Sequence, residues 1–221
     1  MRRIFRGLWA VLVAAVLMGE EALAGKGYPS SQGSSLTDVV FTGLQPLDAL
    51  KPLRDTTEQG CLQKYLAAVP ARSILRSFKA PASPEDAVPL RKRYLVEQMV
   101  TIVGRKARAE AETFTAALPL GAEWEGTSEG PLREADFADE WLVKHPGASI
   151  APFLQLFKAH RLRAAYEAAR ARHEDDAWSV FARRYAEALN AARSSPNPLI
   201  LCLAADLEAR PFVYLEGHGR P

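Results

Sequence analysis

The sequence predicts an all-α protein: a single domain of about six helices, packed as antiparallel helical hairpins, which follows a cleaved signal peptide. Apolar side chains recur every three or four residues over most of the chain after residue 58, which gives each segment one apolar face. Clusters of proline, glycine and serine separate these segments. One short β-favouring run, residues 39–41, lacks the alternation of a strand and is assigned to a loop.

The first 24 residues have the composition of a secretory signal peptide. Three arginines precede the uncharged apolar run Leu8–Met18, and this run is shorter than the roughly 20 residues that a membrane-spanning helix needs. Small residues at Ala22 and Ala24 fit a cleavage site. We expect cleavage after Ala24, with an uncleaved anchor as the alternative. The mature chain is then expected in a bacterial periplasm or outside the cell, without a transmembrane segment.

The mature chain divides into two parts. Residues 25–57 begin with glycine, serine and proline, and we expect a flexible or loosely docked N-terminal segment there. Residues 58–221 form the helical domain. The formal net charge of the whole chain is +2 at pH 7, which gives no strong field, so nucleic acid is not an expected partner. The basic run Arg91–Arg93 is interpreted as a solvated helix face.

Each predicted helix has its own boundary signals. Pro119 ends the long second helix, and Pro89 is expected to delay its start. Pro146 and Gly147 end the third helix, and Ser149 is expected to cap the fourth. The predicted helices cover residues 58–69, 90–118, 132–144, 149–172, 174 to 190 or 192, and 199–209, with one or two extra turns at 72–78 and a short strand or docking tail at 212–215.

Two of the four histidines lie in the stretch WLVKHPGASIAPFLQLFKAHR. His145 and His160 are separated by a predicted turn, whereas two imidazoles on one helix must be three or four residues apart to bind the same metal ion. We therefore expect no metal site. His145 is interpreted as a helix end and His160 as a polar residue beside the buried stripe.

Acid–base chemistry is the remaining catalytic possibility. His160 and Glu167 lie seven residues apart on one predicted helix, which puts them on the same face but beyond direct contact. No GxSxG, SxxK, P-loop or GxGxxG pattern occurs, and no cofactor is expected. We expect no enzymatic activity, with a secreted hydrolase that uses a site near His160 and Glu167 as the alternative.

Aromatic residues and cysteines complete the set of candidate functional residues. Exposed aromatic side chains at Trp124, Trp178, Phe181 and Tyr185 would form a surface for another protein, whereas the helical spacing of the last three also fits an ordinary core. In an exported protein the two cysteines, Cys61 and Cys202, can form a disulfide, with two buried thiols as the alternative.

The stretch FADEWLVKHPGASIAPFLQLFKAHRLRAAY, residues 137–166, resembles the helix–turn–helix of tetratricopeptide-like repeats in bacterial envelope proteins. The similar features are an aromatic-rich first helix, the His-Pro-Gly-x-Ser turn and the Ala-Pro that opens the second helix. Residues 185–189, followed by the turn at 196–198, carry a weaker form of the same pattern. The resemblance implies a protein-binding scaffold without catalytic residues, and its partner is expected to be another protein.

Overall fold

The computed structural model describes residues 36–42, 56–76, 82–120 and 127–209, all within the compact unit Ser34–Pro221. No strand occurs in these ranges, which confirms the all-α class for this part of the chain. None of the helices described here is long and apolar enough to cross a membrane. They are α1 (Leu36–Thr42), α2 (Thr56–Ala68), α3 (Pro84–Val103), α4 (Arg108–Ala117), α5 (Glu129–Lys144), α6 (Ala151–Ala171), α7 (Asp175–Arg193) and α8 (Pro198–Ala209), with 3-10 turns at Ile74–Arg76 and Arg105–Ala107.

Helix α1 corrects the assignment of residues 39–41 to a loop. It lies inside the segment that we expected to be flexible or loosely docked, yet Leu36, Val40 and Phe41 are buried in the main core. Their spacing forms one helical face, and its packing overrides the β propensity of the two valines and the phenylalanine. Three predicted features lie wholly or partly outside the described residues. The signal peptide and the tail at 212–215 are not described, and of segment 25–57 only residues 36–42, 56 and 57 are.

The predicted helix over residues 90–118 is two helices. Gly104 separates α3 from α4 with a φ of 104°, a conformation that glycine adopts without the strain imposed by a Cβ. Helix α3 also starts earlier than expected, because the Ser83 hydroxyl accepts the backbone N–H of Asp86 at 3.3 Å and caps it. Pro89 therefore lies inside the helix, at an exposed position where water can solvate the unpaired carbonyl.

Helix α6 is central to the packing. It packs against α5, α7 and α8 and also contacts α1 and α3. Thirteen of its 21 residues are buried, so it is enclosed on more than one face. Aromatic rings fill the space around it: the Phe153 ring lies 5.2 Å from the Phe41 ring, and the Phe157 ring lies 6.3 Å from the Phe114 ring.

The turn between α5 and α6 lies where the sequence predicts it. The backbone N–H of His145 bonds to the Trp141 carbonyl at 2.8 Å and closes α5, and the two rings are 4.4 Å apart. Ser149 does not cap α6 as expected. Its backbone N–H and its hydroxyl both donate to the Glu110 carboxylate, at 2.8 and 2.5 Å, and so tie this turn to α4.

A disulfide joins helix α2 to helix α8. It links Cys61 to Cys202, whose Cα atoms are 5.6 Å apart, a normal separation for a bridge. Cys61 is buried and Cys202 half-buried. Because the bridge closes a loop of 141 residues, it constrains the unfolded chain strongly.

Candidate functional site

His160 lies in the interior beneath α1. Its side chain is buried, and its ring centroid is 5.1 Å from that of Phe41. The Nε of Arg161 donates to Nδ1 of His160 at 3.2 Å. The imidazole thus lies between an aromatic ring and a guanidinium and is covered by helix α1. This buried environment differs from that of a histidine in an open catalytic cleft.

Glu167, the carboxylate paired with His160 in the hydrolase hypothesis, forms an ion pair within its own helix. Its Oε1 accepts from Nε of Arg163 at 2.9 Å. Seven residues of helix separate Glu167 from His160 by about 10 Å along the axis. The structure therefore gives these two residues different environments and does not join them in one acid–base pair.

Two of the four candidate interaction aromatics are buried, which fits ordinary core packing, the alternative for these residues. Phe181 and Tyr185 are buried, and burial raises the pKa of the Tyr185 phenol. Trp178 is half-buried, with its ring 4.6 Å from the Arg170 guanidinium carbon. Trp124 lies outside the described residues. The helical spacing of the α7 aromatics indicates core packing.

A buried ion cluster connects three helices. Arg91 of α3 binds the Glu134 carboxylate of α5 with two parallel bonds of 2.9 and 2.7 Å, and a nitrogen of Arg161 on α6 lies 3.6 Å from the same carboxylate. The Glu134 residue is 5% exposed. Arg91 is therefore not part of a solvated face as expected. The structure gives this cluster a structural role, because its bidentate geometry satisfies the buried carboxylate.

The surface formed by α3, α6 and α8 holds α1, and we call it the α1 cleft. At one end Thr37 meets Asp206 of α8: the Asp206 Oδ2 accepts the backbone N–H of Thr37 at 3.0 Å and also accepts its hydroxyl. The Thr37 hydroxyl also lies 3.3 Å from the Leu203 carbonyl oxygen. Both Thr37 and Asp206 are buried.

The other end of the α1 cleft is aromatic. The Phe41 ring packs on α6, 5.2 Å from the Phe153 ring and 6.1 Å from the Phe157 ring, with His160 beside it. The cleft thus combines an apolar wall with two acceptors, the Asp206 carboxylate and the Leu203 carbonyl. Apolar grooves are one way in which proteins hold the apolar face of an amphipathic helix. Sequence reasoning missed Thr37, Phe41 and Asp206, although Asp206 interrupts the apolar residues of α8.

A second concavity runs along α5. It has a volume of about 430 Å³ and is open to solvent. Its charges are engaged with neighbours: Asp136 pairs with Arg184 at 2.6 Å, and Glu140 pairs with Lys144 at 3.2 Å. It is lined by Pro119, Glu129, Leu132, Arg133, Asp136, Phe137 and Glu140. Four of its charged groups are thus paired: Glu129 with Arg133 inside the concavity, and Asp136 and Glu140 with residues outside it.

No group of three or more histidine, cysteine, aspartate or glutamate side chains that could hold a metal ion occurs among residues 36–42, 56–76, 82–120 and 127–209. No protein-family model, curated protein or solved structure matches this chain.

Proposed function

We propose that this protein is an exported helical protein that acts as a protein–protein interaction module or scaffold. One observation carries the proposal: the domain holds a short helix, α1, in a cleft built by α3, α6 and α8. The contacts between Thr37 and α8 span more than 160 residues of sequence, so α1 is held by a distant part of the chain. Recognition of another protein is the function that this type of cleft serves elsewhere.

Export is proposed from the sequence pattern of residues 1–24, with the mature protein in a bacterial periplasm or outside the cell. The disulfide between Cys61 and Cys202 supports an oxidising compartment, since such bridges are rare in the cytosol. The mass of the protein purified from its native compartment tests this proposal. Cleavage gives a chain that begins at Gly25, and an intact N-terminus would contradict it.

We also propose that α5 and α6 form the antiparallel hairpin of a tetratricopeptide-like unit. Two ion pairs support this arrangement: Asp139 pairs with Lys158 at 2.6 Å, and Glu134 lies 3.6 Å from Arg161. The earlier residue on α5 pairs with the later one on α6, as expected for helices that run in opposite directions.

The experiment that tests the interaction function uses the mature chain, residues 25–221, as bait in an extract of its native compartment. We expect a partner that binds again when both proteins are purified. The contrary result is a hydrolytic activity that His160→Ala abolishes while the thermal unfolding of the variant is unchanged, because that would assign His160 a chemical role. A loss of stability without loss of an activity is expected for a buried histidine.

A further inference from the structure

We propose that α1 is a displaceable intramolecular ligand, which keeps the α1 cleft closed until a helical segment of a partner protein replaces it. This inference rests on the proposed function and defines the partner class for it. The partner segment is an amphipathic helix with the chemistry of α1 itself: leucine, a hydroxyl residue, valine and phenylalanine at the relative positions of Leu36, Thr37, Val40 and Phe41.

The walls of the α1 cleft are connected by polar contacts that do not involve α1. Arg163 of α6 donates to the Leu207 carbonyl of α8 at 2.7 Å. The side-chain amide of Asn197, just before α8, donates to the Ile102 carbonyl of α3 at 2.7 Å. The disulfide ties α8 to α2, and the Glu134 cluster links α3 to α6 through α5. These contacts link the walls of the cleft to one another independently of α1.

The described side chains of α1 hold it to this frame by non-covalent contacts. Leu36, Val40 and Phe41 are at most 1% exposed, and Thr37 makes the polar contacts with α8. Seven residues are fewer than the roughly 12–15 that an isolated helix needs to be stable in water. The helix is therefore stable only while docked, and it undocks and unfolds as one unit. A partner that binds tightly enough can capture the open state.

Asp206 gives the α1 cleft a directional preference. Thr37 is the second residue of α1, and its N–H is one of the four at a helix start that have no partner within the helix. A carboxylate is favourable at this end of a helix because the helix dipole is positive there. An incoming helix must therefore place its first turn at Asp206 and its aromatic residue between Phe153 and His160.

The test measures binding of a fluorescently labelled peptide with the sequence of residues 34–44 to the purified chain, by fluorescence anisotropy. Phe41→Ala removes the largest anchor of α1 and raises the fraction of molecules with an open cleft. Because the apparent Kd falls as this fraction rises, we expect the variant to bind the peptide at least about tenfold more tightly than the wild type. Equal affinities, or binding to neither protein, would overturn the proposal.

Two matched controls identify the cleft. Adding Asp206→Asn to the Phe41→Ala chain should weaken peptide binding severalfold, because a neutral amide is a poorer acceptor than a carboxylate. A peptide with alanine in place of Phe41 should bind the Phe41→Ala chain at least about tenfold more weakly than the peptide with phenylalanine. Binding that is unaffected by both changes lies elsewhere on the protein and would contradict the proposal.

Hydrogen exchange of the wild-type chain gives a second measurement, which is decisive if Phe41→Ala fails to fold. The amides of Val40 and Phe41 should exchange faster than those of Phe157 and Leu162 on α6, because α1 opens without global unfolding. Equal protection of the two helices would refute a displaceable α1. Addition of the unlabelled peptide should speed exchange in α1 and leave α6 protected.

These results separate the inference from the function that it extends. A purified partner that binds wild type and Asp206→Asn equally, together with no peptide binding, would overturn the inference and leave the interaction function standing. Size-exclusion chromatography of the Phe41→Ala chain distinguishes two occupants of the α1 cleft, a helix of a partner protein and α1 of a second copy. A monomer that binds the peptide supports a partner helix, whereas a dimer that exchanges α1 between copies would overturn this assignment.

Discussion

The carboxylate of Asp206 accepts the backbone N–H of Thr37 at 3.0 Å, across 169 residues of sequence. Both residues are buried, so neither group exchanges its protein partner for water without opening the structure. This pair connects the last described helix to the first and defines the polar end of the α1 cleft. It also makes the stability of the domain sensitive to the chemistry of one side chain.

Asp206→Ala is expected to lower the free energy of unfolding by about 1–3 kcal/mol, because it leaves the Thr37 N–H and hydroxyl without their carboxylate acceptor. Asp206→Asn keeps an acceptor oxygen in a side chain of the same shape, so it should lower the free energy of unfolding by less. Urea unfolding followed by circular dichroism measures both. If the two variants were equally destabilised, the Thr37 contact would not be the cause.

Glu134→Ala is expected to destabilise the domain by about 3–5 kcal/mol, because it leaves the guanidinium of Arg91 buried without its carboxylate. The matched control is Glu129→Ala on the same helix. Glu129 pairs with Arg133 at the surface, and the two side chains are 76% and 56% exposed, so its loss should cost less than about 1 kcal/mol. Chemical denaturation ranks the two variants. Similar losses would contradict the structural role of the ion cluster.

The stability of the domain should fall as the pH rises above about 10, the ordinary pKa of a tyrosine. Burial raises the pKa of Tyr65 in the folded state, so above pH 10 the unfolded chain ionises first and is favoured. The contribution is constant below pH 10 and reaches about 1.4 kcal/mol per pH unit above it. Tyr65→Phe should flatten this part of the curve, as measured by urea unfolding between pH 8 and 11. An unchanged slope would exclude Tyr65 as the source.

His173→Gly should stabilise the protein by roughly 0.5–1 kcal/mol. His173 follows α6 with a φ of 57°, a left-handed conformation that strains residues with a Cβ. The backbone N–H of His173 bonds to the Arg170 carbonyl and that of Glu174 to the Ala169 carbonyl, which is the helix end where glycine is preferred. Differential scanning calorimetry should find a melting temperature about 1–4 °C higher. His173→Ala keeps the Cβ and serves as the control, and an equal gain there would contradict the backbone explanation.

Reduction of the disulfide should destabilise the domain by up to about 4–5 kcal/mol, because it frees a loop of 141 residues in the unfolded chain. The measurement compares unfolding of the oxidised chain with that of the Cys61→Ser, Cys202→Ser double variant. Thiol labelling of denatured, unreduced protein should find no reactive cysteine. Two reactive thiols would contradict the bridge.

The positions of most helices follow from local patterns. The apolar spacing around Tyr65 and Phe157, and the breaks at Pro119 and at Pro146, depend on backbone and side-chain chemistry within a few residues, which is why the sequence predicts them. Helix α1 is not predicted from local patterns, because its seven residues are too few to show a clear hydrophobic periodicity. Its helical state depends on a cleft made by α3, α6 and α8, which lie more than 40 positions further along the chain.

The candidate site was harder to predict for the same reason. His160 and Glu167 share a helix face in the sequence, but the structure buries the first beneath Phe41 and pairs the second with Arg163. The environment of a polar side chain depends on which helices surround it. The spacing of two residues along one helix carries no information about the neighbouring helices.

By itself, the sequence determined the helical class of the described domain and the approximate ends of most of its helices, because hydrophobic periodicity and helix-breaking residues act locally. The tertiary structure alone decided that Glu134 and Asp206 are buried and that α1 fills a cleft. Burial of a charge requires partners from other helices, Arg91 for Glu134 and Thr37 for Asp206, and only the folded chain brings these together.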